Sequence, residues 1–376
     1  MESRKNCLQV GIIGAGAISG RYIETIQEKF PVMKILCVCS RRQEKAAERA
    51  AQYGIESCTL EDMLQNDEID MVINLTPVGA HYEIIKRALL AGKHVYTEKT
   101  MTDDPEKARE LIALADEKGL YLGSAPDTFL GSAIQTARKA IDDGLIGEVT
   151  SFAIAANRNN NILLSMFPFL RLPGAGLCYD YAVYHMTALV SLLGEVERVG
   201  AMIRAPYQTH VNILPDSPEF GKVMNTPNES ELNAILQLKS GVSGTIMINA
   251  DSILPEKTYF AVYGTEGILY LPDPNQFGED VLYMPNWKGG DIPPASQVLS
   301  PVNPYEDESR GLGAADMAEA ILTGKMPKAS KELAAHVLDV LSALKQSSEK
   351  GCLISIESDA ERPDPLRNFV ESIQRD

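Results

Sequence analysis

A chain of 376 residues is long enough for two domains that each bury a core, and 45% hydrophobic with 23% charged residues is the composition of a globular protein. The formal net charge of −16 speaks against nucleic acid or an anionic membrane as a partner, and mildly against a polyanionic substrate.

In chain order, residues 8–13 (LQVGII) form a short apolar run followed at once by G-A-G-A-I-S-G and an amphipathic segment from Ile18 to Lys29. That is strand, glycine turn, helix. Gly14 permits the tight turn, Gly16 lets backbone approach a pyrophosphate, and Ala17 and Ile18 open the helix whose N-terminus would receive it. Ser19 is small enough to take the place of the third glycine. KILCVCS (34–40) reads as a second strand and QEKAAERAAQYG (43–54) as a helix ending on Gly54. Thr59 and Asp62 have the spacing of a capping box. DMVINLT (70–76), HVYT (94–97) and YLGS (121–124) are further strands, with a helix over 81–92 and another capped by Asp104 with Pro105 at its first position.

Strands alternating with helices predict a parallel sheet, whose ligands sit at the carboxyl ends of the strands. Those ends are Gly14–Gly16, Ser40–Arg42, Thr76–Pro77 and Glu98–Lys99. An acidic residue after the second strand would hold the ribose 2′-hydroxyl of NAD; here stand Ser40, Arg41 and Arg42, which would bind a 2′-phosphate through charge-assisted bonds. Two arginines could equally solvate a helix N-terminus, but the helix dipole disfavours cations there. The expected cofactor is NADP, with NAD possible.

After Ser124 the alternation stops. Residues 148–157, 231–241, 242–252, 257–264 and 267–272 have strand-like content, and the glycine-bearing connections KSG-VSG and GTEG are hairpin turns, so this sheet reads as largely antiparallel. TALVSLL (187–193) and residues 331–348 read as helices. The polar tracts 205–229 and 272–309 are long enough to be functional or interfacial loops. The six cysteines include no C-x-x-C pair, and four lie in or beside apolar runs, which predicts buried free thiols in a reducing compartment. The start MESRKNCLQVGIIG carries no cleavage site and no run of 18 apolar residues occurs, so a cytoplasmic location is expected.

G-x-G near the start, Thr76-Pro77 followed by His81, A-G-K-H-V-Y-T-E-K (91–99), APDTFLG (125–131), G-A-G-L-C-Y-D (174–180), LLGEVERV (192–199) and RGLGAADMAEAI (310–321) together resemble the glucose–fructose oxidoreductase/inositol dehydrogenase/MocA family. The resemblance runs from residue 10 to about residue 350. It implies an α/β protein: a doubly wound Rossmann domain over 1–124, and over 125–376 a substrate-binding and oligomerisation domain with an open, mostly antiparallel sheet. It further implies an NAD(P)-dependent dehydrogenase or reductase acting on a sugar or polyol, a homodimer or homotetramer, and a position for His81 near the cofactor. One departure is Thr100, where the family's E-K-P has proline; that loosens the turn locally and leaves Lys99 in place.

Hydride transfer from an alcohol needs a base for the hydroxyl proton. Lys99 ends a strand aimed at the nicotinamide ribose, and a desolvated lysine near other cations can titrate near neutrality. The bland reading, a surface pair with Glu98, is set aside on the strength of the whole 91–99 block. In many relatives an aspartate is followed four residues later by histidine. Counted from Asp180 that position is Tyr184, about 40° around a regular helix, while His185 lies about 140° away and reads as a packing histidine. The expectation is that Lys99 and Tyr184 handle the proton and Asp180 orients substrate hydroxyls, with His185 the other candidate acid/base. Asn157 and Arg158 suit hydroxyl recognition, although a polar loop explains them equally well. His94 and His336 read as strand-face and helix-face residues, and no cluster has metal-ligand spacing. Two alternatives remain: a redox-assisted glycosidase holding NAD tightly, and a non-catalytic dinucleotide-binding sensor.

Overall fold

The computed structural model describes residues 6–172, 174–254, 257–290, 292 and 294–366. The chain divides into two compact units. Among the described residues the first comprises 6–131, 305–338 and 363–366; the second comprises residues of 132–304 and 339–362.

In the first unit, strands β1 (Leu8–Ile13), β2 (Met33–Cys39), β3 (Glu56–Ser57), β4 (Met71–Asn74), β5 (His94–Thr97) and β6 (Leu122–Ser124) form one sheet in the order β3-β2-β1-β4-β5-β6. Every pairing is parallel. Helices α1 (Ala17–Lys29), α2 (Gln43–Tyr53), α3 (Leu60–Gln65), α4 (His81–Leu90) and α5 (Pro105–Lys118) supply the crossovers. Val10, Ile12, Val72, Ile73 and Val95 are wholly buried, as strands covered on both faces require. The caps follow the sequence: Gly54 closes α2 in the left-handed conformation, Thr59 and Asp62 make a capping box for α3, and Asp104 caps α5 with Pro105 behind it. This is the doubly wound order, with its switch point between β1 and β4.

The second unit holds α6 (Ser132–Asp142), β7 (Val149–Asn157), α7 (Asn160–Met166), α8 (Val183–Leu193), β8 (Val196–Arg204), β9 (Thr209–Val211), β10 (Val223–Asn225), β11 (Glu231–Leu238), β12 (Ser243–Asn249), β13 (Tyr259–Gly264), β14 (Gly267–Leu271), β15 (Leu282–Pro285) and β16 (Gln297–Val298). After these come α9 (Leu312–Thr323), α10 (Lys331–Lys350) and β17 (Ile354–Ser355). The nine-stranded sheet runs β16-β15-β14-β13-β7-β12-β11-β8-β17. Only the β7–β12 pairing is parallel; the others, from β8–β11 to β15–β16, are antiparallel. Burial alternates along β11, so this sheet is packed on one face and open on the other. The fold is therefore the α/β architecture expected. Among the described residues no helix is long and apolar enough to cross a membrane.

The expected boundary at 124/125 needs correction. Residues 305–338, assigned from sequence to the second domain, pack with the first unit. The reason is local pairing. The amide of Ser124 donates to the Ala329 carbonyl at 3.2 Å, Gly123 bridges Ser330, and the buried carboxylate of Asp127 accepts from the amides of Gly311 and Gly313 at 2.8 and 3.1 Å. The tail 367–376 lies outside the described residues. Helices α6, α7 and α9, strand β8, and the small β9–β10 hairpin inside the tract 205–229 were not anticipated.

Candidate active site

The carboxyl ends of β1, β2, β4 and β5 are stitched together by backbone hydrogen bonds. Gly14 N–H donates to Cys39 O at 2.8 Å, Leu75 to Ile13 at 2.7 Å, and Glu98 to Asn74 at 2.8 Å. Gly14 has φ of 112°, and a Cβ there would stand 2.8 Å from the Leu75 carbonyl, so only glycine fits the turn. A Cβ on Gly16 would meet nothing within 4 Å: the ground over the first turn of α1 is open. Gly16 caps α1 without a side-chain bond, and Ala17 is exposed with Ile18 half-buried behind it. An exposed, uncapped helix N-terminus beside a glycine turn fits a pyrophosphate. Ser19 is fully buried and donates to Gly16 O at 2.8 Å, filling the third-glycine position as expected.

At the end of β2, Ser40 is half-buried and Arg41 and Arg42 are exposed. Arg42 is the N-cap residue of α2 but supplies no side-chain cap. Neither guanidinium forms an ion pair among the described residues, so both are available to an anion.

Thr76 and Pro77 follow β4. The Thr76 hydroxyl donates to Asn74 Oδ1 at 2.7 Å, and Asn74 Nδ2 donates to the Thr97 hydroxyl at 3.0 Å, fastening the ends of β4 and β5. His81 is fully buried. Its ring nitrogens lie 2.8 Å from Thr100 O and 2.7 Å from Thr76 O, and burial lowers its pKa. It is a positioning residue that ties the Thr76–Pro77 loop to the Lys99–Thr100 turn. That tie also corrects the expected loosening at Thr100. The Lys99–Thr100 peptide is cis, Thr100 is buried, and its hydroxyl donates to Thr102 O at 2.7 Å.

Glu98 and Lys99 are both half-buried. Glu98 accepts from the buried Tyr22 hydroxyl at 2.6 Å. Burial and then the neighbouring Glu98 push the Tyr22 phenol well above its ordinary range, so it stays protonated and donates. Tyr22 had no signal in the sequence beyond its place on α1.

In the second unit, Cys178–Ala182 is not α-helical but a π turn, which passes into α8 at Val183. The wider turn invalidates the 100°-per-residue count from Asp180 to Tyr184 and His185. His185 is nevertheless a packing residue. It is fully buried and edge-on to the Tyr181 ring at 4.8 Å, with Nδ1 3.3 Å from Tyr181 O and Nε2 lacking a hydrogen-bond partner among the described residues. Burial lowers its pKa, which keeps it neutral. Tyr184 is half-buried in the first turn of α8.

Arg158 pairs with Asp180 at 3.5 Å, and its guanidinium lies 4.1 Å from the Tyr181 ring centroid. Tyr181, passed over in the sequence, donates to Asp273 at 2.7 Å. Arg158 and Asp180 line a solvent-open hollow together with Asn160, Thr226, Asn228 and Glu229, against a wall of leucines. Neither Asn157 nor Tyr184 is in that lining. The hollow draws on residues between 158 and 180 and on the polar tract 205–229. Behind it, His210 Nε2 meets Asp251 at 2.8 Å, and the Ser230 hydroxyl donates to the other carboxylate oxygen. Burial alone would raise the Asp251 pKa, but the bonds from His210 and Ser230, with His210's charge and a further bond from Asn160, outweigh it and hold the carboxyl below its ordinary value. Among the described residues no group of three metal-ligating side chains occurs.

A glycine turn at the switch point of a doubly wound sheet, with an ordered Glu-Lys turn two strands away, defines a dinucleotide-binding oxidoreductase. The chain belongs to the Gfo/Idh/MocA family. Residues 8–125 match the oxidoreductase family model with NAD-binding Rossmann fold, and residues 134–270 match the GFO/IDH/MocA C-terminal domain. It is 32% identical over 341 residues to the dTDP-3,4-didehydro-2,6-dideoxy-alpha-D-glucose 3-reductase of Actinomadura kijaniata, covering 85% of this chain and 96% of that protein. Over 202 residues it is 27% identical to the scyllo-inositol 2-dehydrogenase (NADP(+)) IolW of Bacillus subtilis (strain 168), covering 53% of this chain and 55% of that protein. Levoglucosan dehydrogenase in complex with NADH and levoglucosan shares the fold with a TM-score of 0.80 at 20% identity, over 93% of this chain and 100% of that one. The chain is thus an NAD(P)-dependent oxidoreductase of a family that works on sugars and polyols.

Proposed function

We propose that this enzyme uses NADP in preference to NAD to interconvert a secondary alcohol and a carbonyl on a sugar or polyol. The observation that carries the cofactor reading is the end of β2: two exposed guanidinium groups with no ion pair among the described residues, and no carboxylate in their place. Relatives' names do not decide the matter, since both NADP(+) and NADH occur among them.

The residues present fit the dinucleotide. Gly14 and Gly16 keep side chains off the first turn of α1, whose free amides and dipole receive the pyrophosphate. Arg41 and Arg42 would pair with the 2′-phosphate, and Ser40 would bond to the same ribose. Bound there, the nicotinamide supplies the hydride acceptor or donor. Lys99, its turn fixed by His81 and its neighbour Glu98 fixed by Tyr22, would take or give the hydroxyl proton. Tyr184 shares that proton handling, and Asp180 with Arg158 orients substrate hydroxyls. His185, neutral and sealed in the core, is left out of the chemistry. The enzyme works as a homodimer or homotetramer. Met202 on β8 and Ile235 on β11, 74% and 55% exposed on the open sheet face, support association there.

The test is initial-rate screening of a sugar, inositol and sugar-lactone panel with NADP and NAD. A kcat/KM for NAD equal to or above that for NADP on the turned-over substrate would overturn the preference. Cofactor that co-purifies without net turnover would favour the redox-assisted glycosidase. Binding without any hydride transfer across the panel would favour the sensor. Sedimentation at micromolar concentration checks the oligomer, and a lone monomer would contradict it.

A further inference from the structure

Three cysteines crowd the edge of the first unit's sheet, and the proposed mechanism uses none of them. Cys37 and Cys39 sit on β2, and Cys58 follows the edge strand β3. The parallel register sets Val38 beside Ser57, and the Cys58 amide donates to Val38 O at 3.2 Å. This brings the sulfurs of Cys37 and Cys58 to 3.0 Å, about 1 Å beyond a disulfide bond. Cys37 is 5% exposed, whereas Cys58 is half-buried and open to small solutes.

We infer that Cys37 and Cys58 form a site of oxidative modification, closed to a disulfide by a hydroperoxide, and that closure weakens NADPH binding at the end of β2. The second half of this inference rests on the cofactor reading above. The two thiols are unequal in the way such a reaction needs. The half-buried Cys58 can meet the peroxide, and the buried Cys37, its sulfur 3.0 Å away, is placed to resolve the product. Cys39 is the less suitable partner, being buried with its thiol pushed up to about 12 by burial.

The chemistry balances. The Cys58 thiolate attacks one peroxide oxygen, the O–O bond breaks, and hydroxide leaves to become water, giving the sulfenic acid. Cys37 sulfur then attacks the Cys58 sulfur, the S–O bond breaks, and the Cys37 proton leaves with the second hydroxide as water. Two thiols lose two electrons and two protons, and hydrogen peroxide becomes two waters. Strand β2 leads from Cys37 through Cys39, whose carbonyl holds Gly14, to Ser40 and the two arginines. A bond from Cys37 to the edge segment therefore pulls on the strand that presents the 2′-phosphate contacts.

The experiment treats the full-length reduced protein with hydrogen peroxide, alkylates remaining thiols and maps the peptides by mass spectrometry. Cys58 is expected to react about tenfold faster than the exposed Cys352, with a Cys37–Cys58 link and a loss of about 2 Da. Cys58→Ser, at a half-buried position, removes the link, and Cys37→Ser leaves sulfenic acid at 58. A link to Cys39, or oxidation of Cys352 first, overturns the pair. NADPH titration of reduced and linked protein should show about a fivefold rise in Kd that peroxide-treated Cys58→Ser does not share; an unchanged Kd overturns the coupling. Reduced protein that binds no NADPH would instead sink the cofactor reading and with it the coupling, while the mass shift still decides the pair.

Discussion

The first unit carries its chemistry on strand ends; the second, apart from Arg158 just past β7, carries it on a turn and a polar tract. At the carboxyl edge of the parallel sheet, each functional segment is held by a main-chain bond to the neighbouring strand's end, as in Gly14 to Cys39, Leu75 to Ile13 and Glu98 to Asn74. In the antiparallel unit, Asp180 rides a π turn, Arg158 lies just past β7, and Asn228 and Glu229 come from the polar tract before β11. Backbone pairing fixes position without caring which side chains are present. A hollow built from tracts and a wide turn depends on particular side chains to hold its shape. The first unit should therefore lose function mainly when a functional group is removed, and the second when a buried anchor is removed.

The largest effect tests the functional groups themselves. Lys99→Met is expected to lower kcat about 10³-fold with NADPH affinity within twofold, and Tyr184→Phe about 10²-fold, both read by steady-state kinetics and cofactor titration. If Tyr184→Phe keeps near-normal kcat, acid/base work belongs to Lys99's unit alone. His185→Asn measured beside it should change stability rather than the pH profile of kcat, because the ring is sealed in the core.

Next comes the second unit's anchor. Asp251 accepts from His210 on β9 and from Ser230, and so ties the hairpin tract to the end of β12. Asp251→Ala leaves two buried donors without that acceptor and should cost about 3 kcal/mol in urea unfolding. Substrate KM should rise while NADPH Kd stays within twofold. A loss below about 0.5 kcal/mol would mean that the tract is held some other way and would erase the contrast between the units.

The same contrast explains what could be read from sequence. Glycine turns, caps and apolar runs specify the parallel sheet residue by residue, so Gly14, Gly16, Arg41, Arg42 and Lys99 fell at strand ends where expected. What escaped were tertiary contacts. His81 resembled a cofactor neighbour, but which carbonyls surround it depends on the fold of the Lys99–Thr100 turn. Tyr22, 76 residues from Glu98, left no local trace of their bond. Residues 305–338 join the first unit through Ser330, Ala329 and the glycines under Asp127, pairings that periodicity does not encode. In the second unit the π turn defeated a helical-wheel argument about Tyr184, because propensity does not announce one extra residue per turn.

Cofactor choice gives a smaller effect that stays within the first unit. Replacing Arg41 and Arg42 together by alanine should weaken NADPH about 30-fold, roughly 2 kcal/mol, and leave NADH within twofold. Fluorescence titration of both cofactors reads this directly. Equal weakening of NADH and NADPH would show that the arginines support the helix start rather than a phosphate. In that case the β2 end would behave like the second unit, as structure rather than as recognition.

The smallest expected effect sets one buried carboxylate against the other. Asp127 in the first unit is fully enclosed, and burial pushes its pKa up to about 6 despite the bonds from Gly313 and Gly311 and the charge of Arg310. Between the unfolded value near 4 and about 6, the folded state binds more protons than the unfolded one. Its contribution to stability therefore falls as pH rises through that window, by no more than about 1 kcal/mol per pH unit, and is flat above it. Asp251 has the opposite sign: its carboxyl is held below the ordinary value, so its contribution is complete at neutral pH and is lost as acid protonates it. Asp127→Asn keeps an oxygen acceptor for the two glycine amides and should flatten the curve between pH 4 and 6, whereas Asp251→Asn should flatten the acid limb below pH 4. Urea unfolding at half-unit pH steps separates the two. If Asp127→Asn leaves the slope between pH 4 and 6 intact, Asp127 is not the group that titrates there, and the backbone amides of Gly311 and Gly313 stabilise its ionised form more strongly than burial opposes it.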